Sequence, residues 1–398
     1  MLTRYLVWFG ILGAAAGCGG AGVPVESLEP AAQDVQEADL LRGHDRRDGR
    51  HLFTRGTFGG NGRACRTCHS EQTGTLTPAE IQALYRHHPN DPLFQHDGSD
   101  DFYGHGYSRL LADATILVPI ALPTHVRLVD DPTARSVTLR HGIPSTLNTP
   151  ALDPVLMYDG RAPNLVEQAR GAIHGHLQNT VEPTEDELRL IAEFEQSAPF
   201  FSSGALRRFA QGGPAPTLPE GHTPAEKRGR RFFLDVPVSL QDGTGFCAVC
   251  HSGPMLNQVN DFNPLPIPPF RVEPGTRFQS ILSAELLPNG DPLRTYEVTQ
   301  PDGTVLTVTT SDPGLALQTG DFRTFPFGDL GKFKIPTLWN VKNTAPYFHN
   351  NGAKTLEDVM RHYANFFAIA VPNAIPGAPP FILTEQDQAD IIAYLKLL

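Results

Sequence analysis

Apolar positions recur with a helical period over much of the chain. In "TPAEIQALYRHH", residues 77–88, Ile81, Leu84 and Tyr85 fall on one face behind a Thr77 cap and Pro78 at the first helical position. "NLVEQARGAIHGHL" and "TEDELRLIAEFEQS" repeat that period, and "TPAEKRGRRFFL" opens another helix. "TLEDVMRHYANFF" and "TEQDQADIIAYLKLL" are amphipathic helices near the end of the sequence. Between residues 204 and 224, "GALRRFAQGGPAPTLPEGHTP" is rich in Gly and Pro and predicts a linker. Residues 254–330 lose the helical period. Within them "RTYEVTQPDGTVLTVTT" alternates β-formers around Asp302 and Gly303, which predicts a hairpin. The pattern predicts an all-α protein of two domains, 46–215 and 216–398, with long loops and a small β-hairpin insertion in the second.

Length agrees with two domains, because 398 residues exceed what one core usually serves. The first residues read differently. Arg4 precedes an apolar run over 5–16 that is too short to span a bilayer and reads as an export signal. Ala16 and Gly17 before Cys18 resemble a bacterial lipobox. The expectation is a lipoprotein-type signal over 1–18, a lipid anchor on Cys18 and a periplasmic, membrane-tethered protein. Residues 19–45 lack aromatics and read as a flexible tether. The net charge of −11, with no basic run, argues against nucleic acid. It suits solubility, or steering of a small basic partner.

The chemistry concentrates in two short stretches. "NGRACRTCHSE" holds Cys65, Cys68 and His69, and "GTGFCAVCHSG" holds Cys247, Cys250 and His251. A thioredoxin-type pair needs a βαβ setting, which neither site has. Four thiolates could hold zinc, but the histidine in both copies would be unexplained. A disulfide across C-x-x-C is strained. Covalent haem accounts for every element: two thiols add to the porphyrin vinyl groups and the next residue sets an imidazole under the iron. Two c-type haems are expected, with His69 and His251 as proximal ligands.

Two further segments carry a family resemblance. "TLNTPALDPVLMYDGRAPNLVEQARGAI" resembles the run after the first haem in bacterial di-haem cytochrome c peroxidases, and "FKIPTLWNVKNTAPYFHNNGAKTLEDVMRHY" resembles their second-domain hallmark. The likeness covers roughly 46–398 and extends to MauG-type enzymes, which oxidise a protein substrate. It implies two cytochrome c-like haem domains and reduction of hydrogen peroxide to water. Electrons would come from a small cytochrome or cupredoxin. A homodimer is left open. The alternatives are a MauG-type oxidase acting on a protein or organic substrate, and a non-catalytic di-haem electron carrier.

The departures from the family pattern bear on the site. The peroxidases place a methionine fourteen residues after the histidine that is His349 here; this chain has Tyr363, as MauG-type members do. A phenolate there would favour ferric iron, with Met360 and His362 as neighbouring candidates. In the first haem pocket Tyr158 replaces a tryptophan and Leu156 stands where the family often has glutamine. Glu167 is the expected acid–base carboxylate. Among His87, His88, His96, His105, His174 and His176, the last is the first choice for the pocket. Trp339 is a candidate stepping stone between haems. Thr344 and Pro346 match positions whose carbonyls bind an inter-domain calcium in the family, and His349 would orient a haem propionate.

Overall fold

Among the described residues seven strands interrupt the helices, where the pattern had announced a single hairpin. In the computed structural model, which describes residues 48–262, 273–324, 327–374 and 377–398, β1 (Thr115–Ala121) and β3 (Ser136–Gly142) pair antiparallel, with Val118 opposite Leu139. β2 (Val126–Leu128) does not join them. It pairs with β5 (Arg294–Thr299), which pairs in turn with β6 (Val305–Thr310). The predicted hairpin is present, but its outer edge is completed by a strand from the first half of the sequence. β4 (Phe278–Gln279) and β7 (Phe333–Lys334) form a last short pair. Helices still predominate. "TILVPIA" was missed because a short apolar run has no period that separates strand from buried helix. The expected signal, tether and Cys18 lie outside the described residues.

The helices start where their caps place them. Thr77 Oγ1 accepts the Glu80 amide proton while Glu80 Oε2 accepts from the Thr77 amide, which opens the Pro78–His87 helix. The same reciprocal pair opens Glu185–Glu195, Pro224–Arg230 and Glu385–Leu395, at Thr184, Thr223 and Thr384. Gly204–Ala210 is helical, inside the stretch read as a linker; neither helix nor strand occupies 211–222. Pro224–Arg230 packs tightly on Glu385–Leu395. A Cβ on Gly229 would stand 2.0 Å from the Asp390 carbonyl, and Arg228 forks onto the Asp390 carboxylate at 2.6 and 2.8 Å.

Three apolar clusters set the positions of the motifs. One joins Phe53 to Ile173, Leu188 and Phe194, and Cys65 packs on it. A second joins Ile81, Phe94 and Leu110 to Val118, Leu139, Tyr296 and Phe322, and Cys68 packs on that one. The first motif therefore sits at a seam between two cores. The third cluster, around Phe233, Phe246, Leu356 and Tyr394, takes Cys247, Trp339 and Tyr363 on its margin. Among the described residues no helix is long and apolar enough to cross a membrane.

Candidate functional site

Each motif opens into a cavity. Cys65 and Cys68 form one short helical turn, and His69 is turned so that Nδ1–H donates to the Gly74 carbonyl at 2.7 Å. At the second motif His251 Nδ1–H donates to the Leu256 carbonyl at 2.8 Å, again five residues on. Fixing Nδ1 in this way selects the tautomer whose Nε2 lone pair faces a metal. Burial pushes both imidazoles down to about 4, against the pull of the Gly74 carbonyl on one and the Leu256 and Pro336 carbonyls on the other. Both rings are therefore neutral at ordinary pH, the form that ligates iron.

The thiols fit covalent attachment. All four are free, and burial raises each of them, Cys68 to about 11 and Cys250 to about 12. Among the described residues no three His, Cys, Asp or Glu side chains gather as a metal ion alone would need, which leaves the zinc alternative without a ligand set. The second cavity encloses about 730 Å³ and is lined chiefly by Phe, Leu, Ile and Val side chains, within the size range of cofactor sites. The first cavity encloses only about 110 Å³, so there the fit to a haem rests on the two thiols and the anchored His69, while at the second motif the volume supports it too.

In the first cavity His176 is the histidine of the expected set that lines the wall. Its Nδ1 is held by the carboxylate of Asp97, which is fully buried and also grips Arg63. Burial acts to raise the Asp97 carboxyl, but His176 and Arg63 together bring it below the usual range. Arg63 is buried too and donates to the Pro92 and Leu93 carbonyls at 2.8 Å. Nε2 of His176 has no protein partner among the described residues. Of the other candidates, His87 and His88 are exposed, His105 pairs with Asp101 at 2.7 Å and His174 with Glu182 at 2.9 Å. His96 packs on Phe102 instead.

Glu167 is a correction to the expected pocket. It sits exposed in the first turn of the Leu165–His176 helix, beside Arg170, and does not line the cavity. Its neighbour Gln168 does, as do Leu156, Tyr158 and Arg161. The carboxyl that does reach the cavity is Glu195, unmarked in the sequence because "EFEQS" reads as a solvated helix end. It is 5% exposed, Oε2 has no partner, and burial pushes it up to about 8. His141 was also missed; the strand "SVTLRHG" turns it inward with Val137 and Leu139.

In the second cavity Tyr363 and Met360 line the wall and His362 does not. The His362 Nε2–H is taken up by the Ile281 carbonyl at 2.9 Å. The Tyr363 phenol is raised by burial and then by Cys250 and Cys247, which line the same cavity. Trp339 Nε1–H donates to Pro254 O at 2.8 Å, just past the second motif, and the Trp339 carbonyl accepts from Asn148 at 3.3 Å. Thr344, Pro346 and His349 line the same cavity. The two cavities share a wall that includes the 143–145 segment, Thr149, Met157, Tyr158 and Lys334.

No family model matches the chain. Over 70 residues, 18% of each chain, it is 39% identical to the cytochrome-c peroxidase IdrP1 of Denitromonas iodatirespirans. Over 259 residues it is 24% identical to the cytochrome-c peroxidase IdrP1 of Pseudomonas sp. (strain SCT), covering 61% of this chain and 64% of that one. The matches thus span less than two thirds of either relative's length. Among solved structures, a MauG-like protein associated with microbial copper homeostasis aligns with TM-score 0.49 and 18% identity over 89% of each chain. The di-haem peroxidase BthA of Burkholderia thailandensis aligns with TM-score 0.45 and 18% identity, over 89% of this chain and 85% of its own.

Proposed function

We propose that this relative of the di-haem cytochrome c peroxidases and MauG-type enzymes is an exported peroxidase with two cytochrome c-like lobes, reducing hydrogen peroxide to water. The observation that carries the reading is the repeated arrangement of two free thiols and an Nδ1-anchored histidine, each set opening into its own cavity. Cys65, Cys68 and His69 would hold one haem and Cys247, Cys250 and His251 the other; the bound groups supply one-electron chemistry and an iron that activates peroxide. Electrons from a small cytochrome or cupredoxin enter on the side of the second motif. Trp339, tied to the backbone behind that motif, lies in their path.

In the first cavity His176 accepts and returns a proton at Nε2, with Asp97 keeping Nδ1 fixed and supporting the charge that results. Gln168 and Arg161 supply further polar groups for a peroxide. The carbonyls of Thr344 and Pro346 are the proposed donors to a calcium ion. The reading keeps export and a lipid anchor at Cys18.

Tyr363 favours a second reading, a MauG-type oxidase of a protein or organic substrate, because it lines the second cavity at the position where a peroxidase has a thioether. The test is steady-state turnover of hydrogen peroxide with a reduced cytochrome. Peroxide-dependent oxidation of the donor supports the peroxidase. Haem-loaded protein that leaves both peroxide and donor unchanged would refute it, and point to the electron-carrier alternative.

A further inference from the structure

Three distant segments bring a buried polar cluster together between the two cavities. His141, at the end of β3, lines the first cavity and His349 lines the second. Asp312 lies between them with no exposure to solvent. The His141 Nε2–H donates to Asp312 Oδ2 at 2.7 Å, and His349 Nε2 stands 3.7 Å from the same oxygen. The rings are perpendicular, with centroids 6.0 Å apart. Each part is fixed: Gly142 N–H donates to the His349 carbonyl at 2.7 Å, Gly314 N–H donates to Asp312 Oδ1 at 2.8 Å, and Phe333 stacks on His349 at 3.7 Å. Ser283 Oγ lies 3.3 Å from His349 Nδ1.

Two ring nitrogens in this cluster are buried without a partner, His141 Nδ1 and His349 Nε2. Orphaned buried polar atoms are uncommon and ask for a reason. Among the described residues no Lys or Arg pairs with Asp312, so its charge is balanced by histidine alone. Burial acts to raise the Asp312 carboxyl, yet His141 and then His349 bring it down to about 2. Burial pushes His349 down to about 3, with Asp312 pulling the other way and His141 adding to the fall. One carboxylate can balance at most one imidazolium. A second would meet the first across 6.0 Å in a medium that screens little.

We propose that Asp312 lets a single proton be shared between His141 and His349, so that reducing the haem in either cavity draws the proton to that cavity's histidine. The step balances simply. With haem bound, each electron from the donor would be balanced by one proton from water, which forms an N–H bond at Nδ1 of His141 or Nε2 of His349. Reoxidation returns both. The two cavities are thereby coupled, since a proton taken up beside Asp312 with one electron excludes a second on the other ring. The groups facing the cluster are Asp291, Glu285 and Tyr296, all raised by burial and by Asp312, together with Arg140, Arg294, the Tyr158 ring edge and Lys334. Asp291, at about 7, and Glu195, at about 8 on the wall of the first cavity, are the rival titrating groups.

This inference rests on haem being attached at both motifs, and its readout is reduction potential rather than turnover. Spectroelectrochemical titration of the haem-loaded protein from pH 5 to 9 should show at least one haem whose reduction equilibrium shifts tenfold per pH unit over part of that range, about 59 mV for one electron. On a Glu195→Gln background, which removes the first cavity's own titrating carboxyl, Asp312→Asn should flatten the slope at both haems. His349→Gln should flatten it for the second haem and His141→Gln for the first, while Asp291→Asn keeps it. Slopes that survive Asp312→Asn, or a wild-type protein with none, overturn the proposal. If Asp312→Asn does not fold, the two histidine variants decide, and slopes unchanged in both overturn it. Loss of peroxide turnover with the slopes intact counts against the peroxidase reading and supports the coupling.

Discussion

Glu195 makes the first cavity pH-sensitive in a direction that can be worked out in advance. Its carboxyl lies on the Glu185–Glu195 helix, buried against the Cys65 side of the cavity, and is raised by burial from the ordinary 4.5 to about 8. Below pH 4.5 the folded and unfolded chains both keep this proton. As pH rises from 4.5 toward 8 the unfolded chain releases it and the folded chain does not, so unfolding gains and stability falls. A tenfold change in proton affinity is worth about 1.4 kcal/mol, so the gap between 4.5 and about 8 sets an upper bound of about 5 kcal/mol lost across that window. Glu195→Gln keeps the shape and removes the ionisation. Urea unfolding of haem-loaded wild type and variant at pH 5, 6, 7 and 8 isolates the effect, because other buried groups such as Asp291 are common to both. The stability of wild type relative to Gln should fall steadily with pH. Parallel profiles would mean that Glu195 ionises normally in the folded protein, and the burial argument fails.

Other outcomes follow from the same geometry. Denatured protein should retain the mass of two haems, with Cys68→Ala and Cys250→Ala each weakening one attachment; haem that extracts fully into acid acetone defeats that assignment. Tyr363→Phe should change the spin state of one haem only, read by absorption and electron paramagnetic resonance. If neither haem spectrum moves, Met360, which lines the same cavity, becomes the candidate and the phenolate reading is lost.

The sequence by itself determined the local features. The helix starts at Thr77, Thr184, Thr223 and Thr384 are written as a hydroxyl with a carboxylate three residues on, and each contact closes within one turn. The C-x-x-C-H stretches are equally local, since thiols and imidazole are set by a few consecutive dihedrals. Long-range assembly was beyond its reach. Nothing near Val126 shows that it will pair with Val298, because register between distant strands depends on the whole chain's burial. The same limit explains the site residues. Glu167 matches a motif, but its helix turns it to solvent, whereas Glu195 sits in an acidic helix end and is carried inside by the packing of Phe194 and Ile191. His141 and Asp312 are unremarked in the sequence, and His349 stands out there only as a candidate to orient a haem propionate. Only the tertiary structure places them on one oxygen, because a shared proton depends on separations of a few ångströms that no spacing along the chain records.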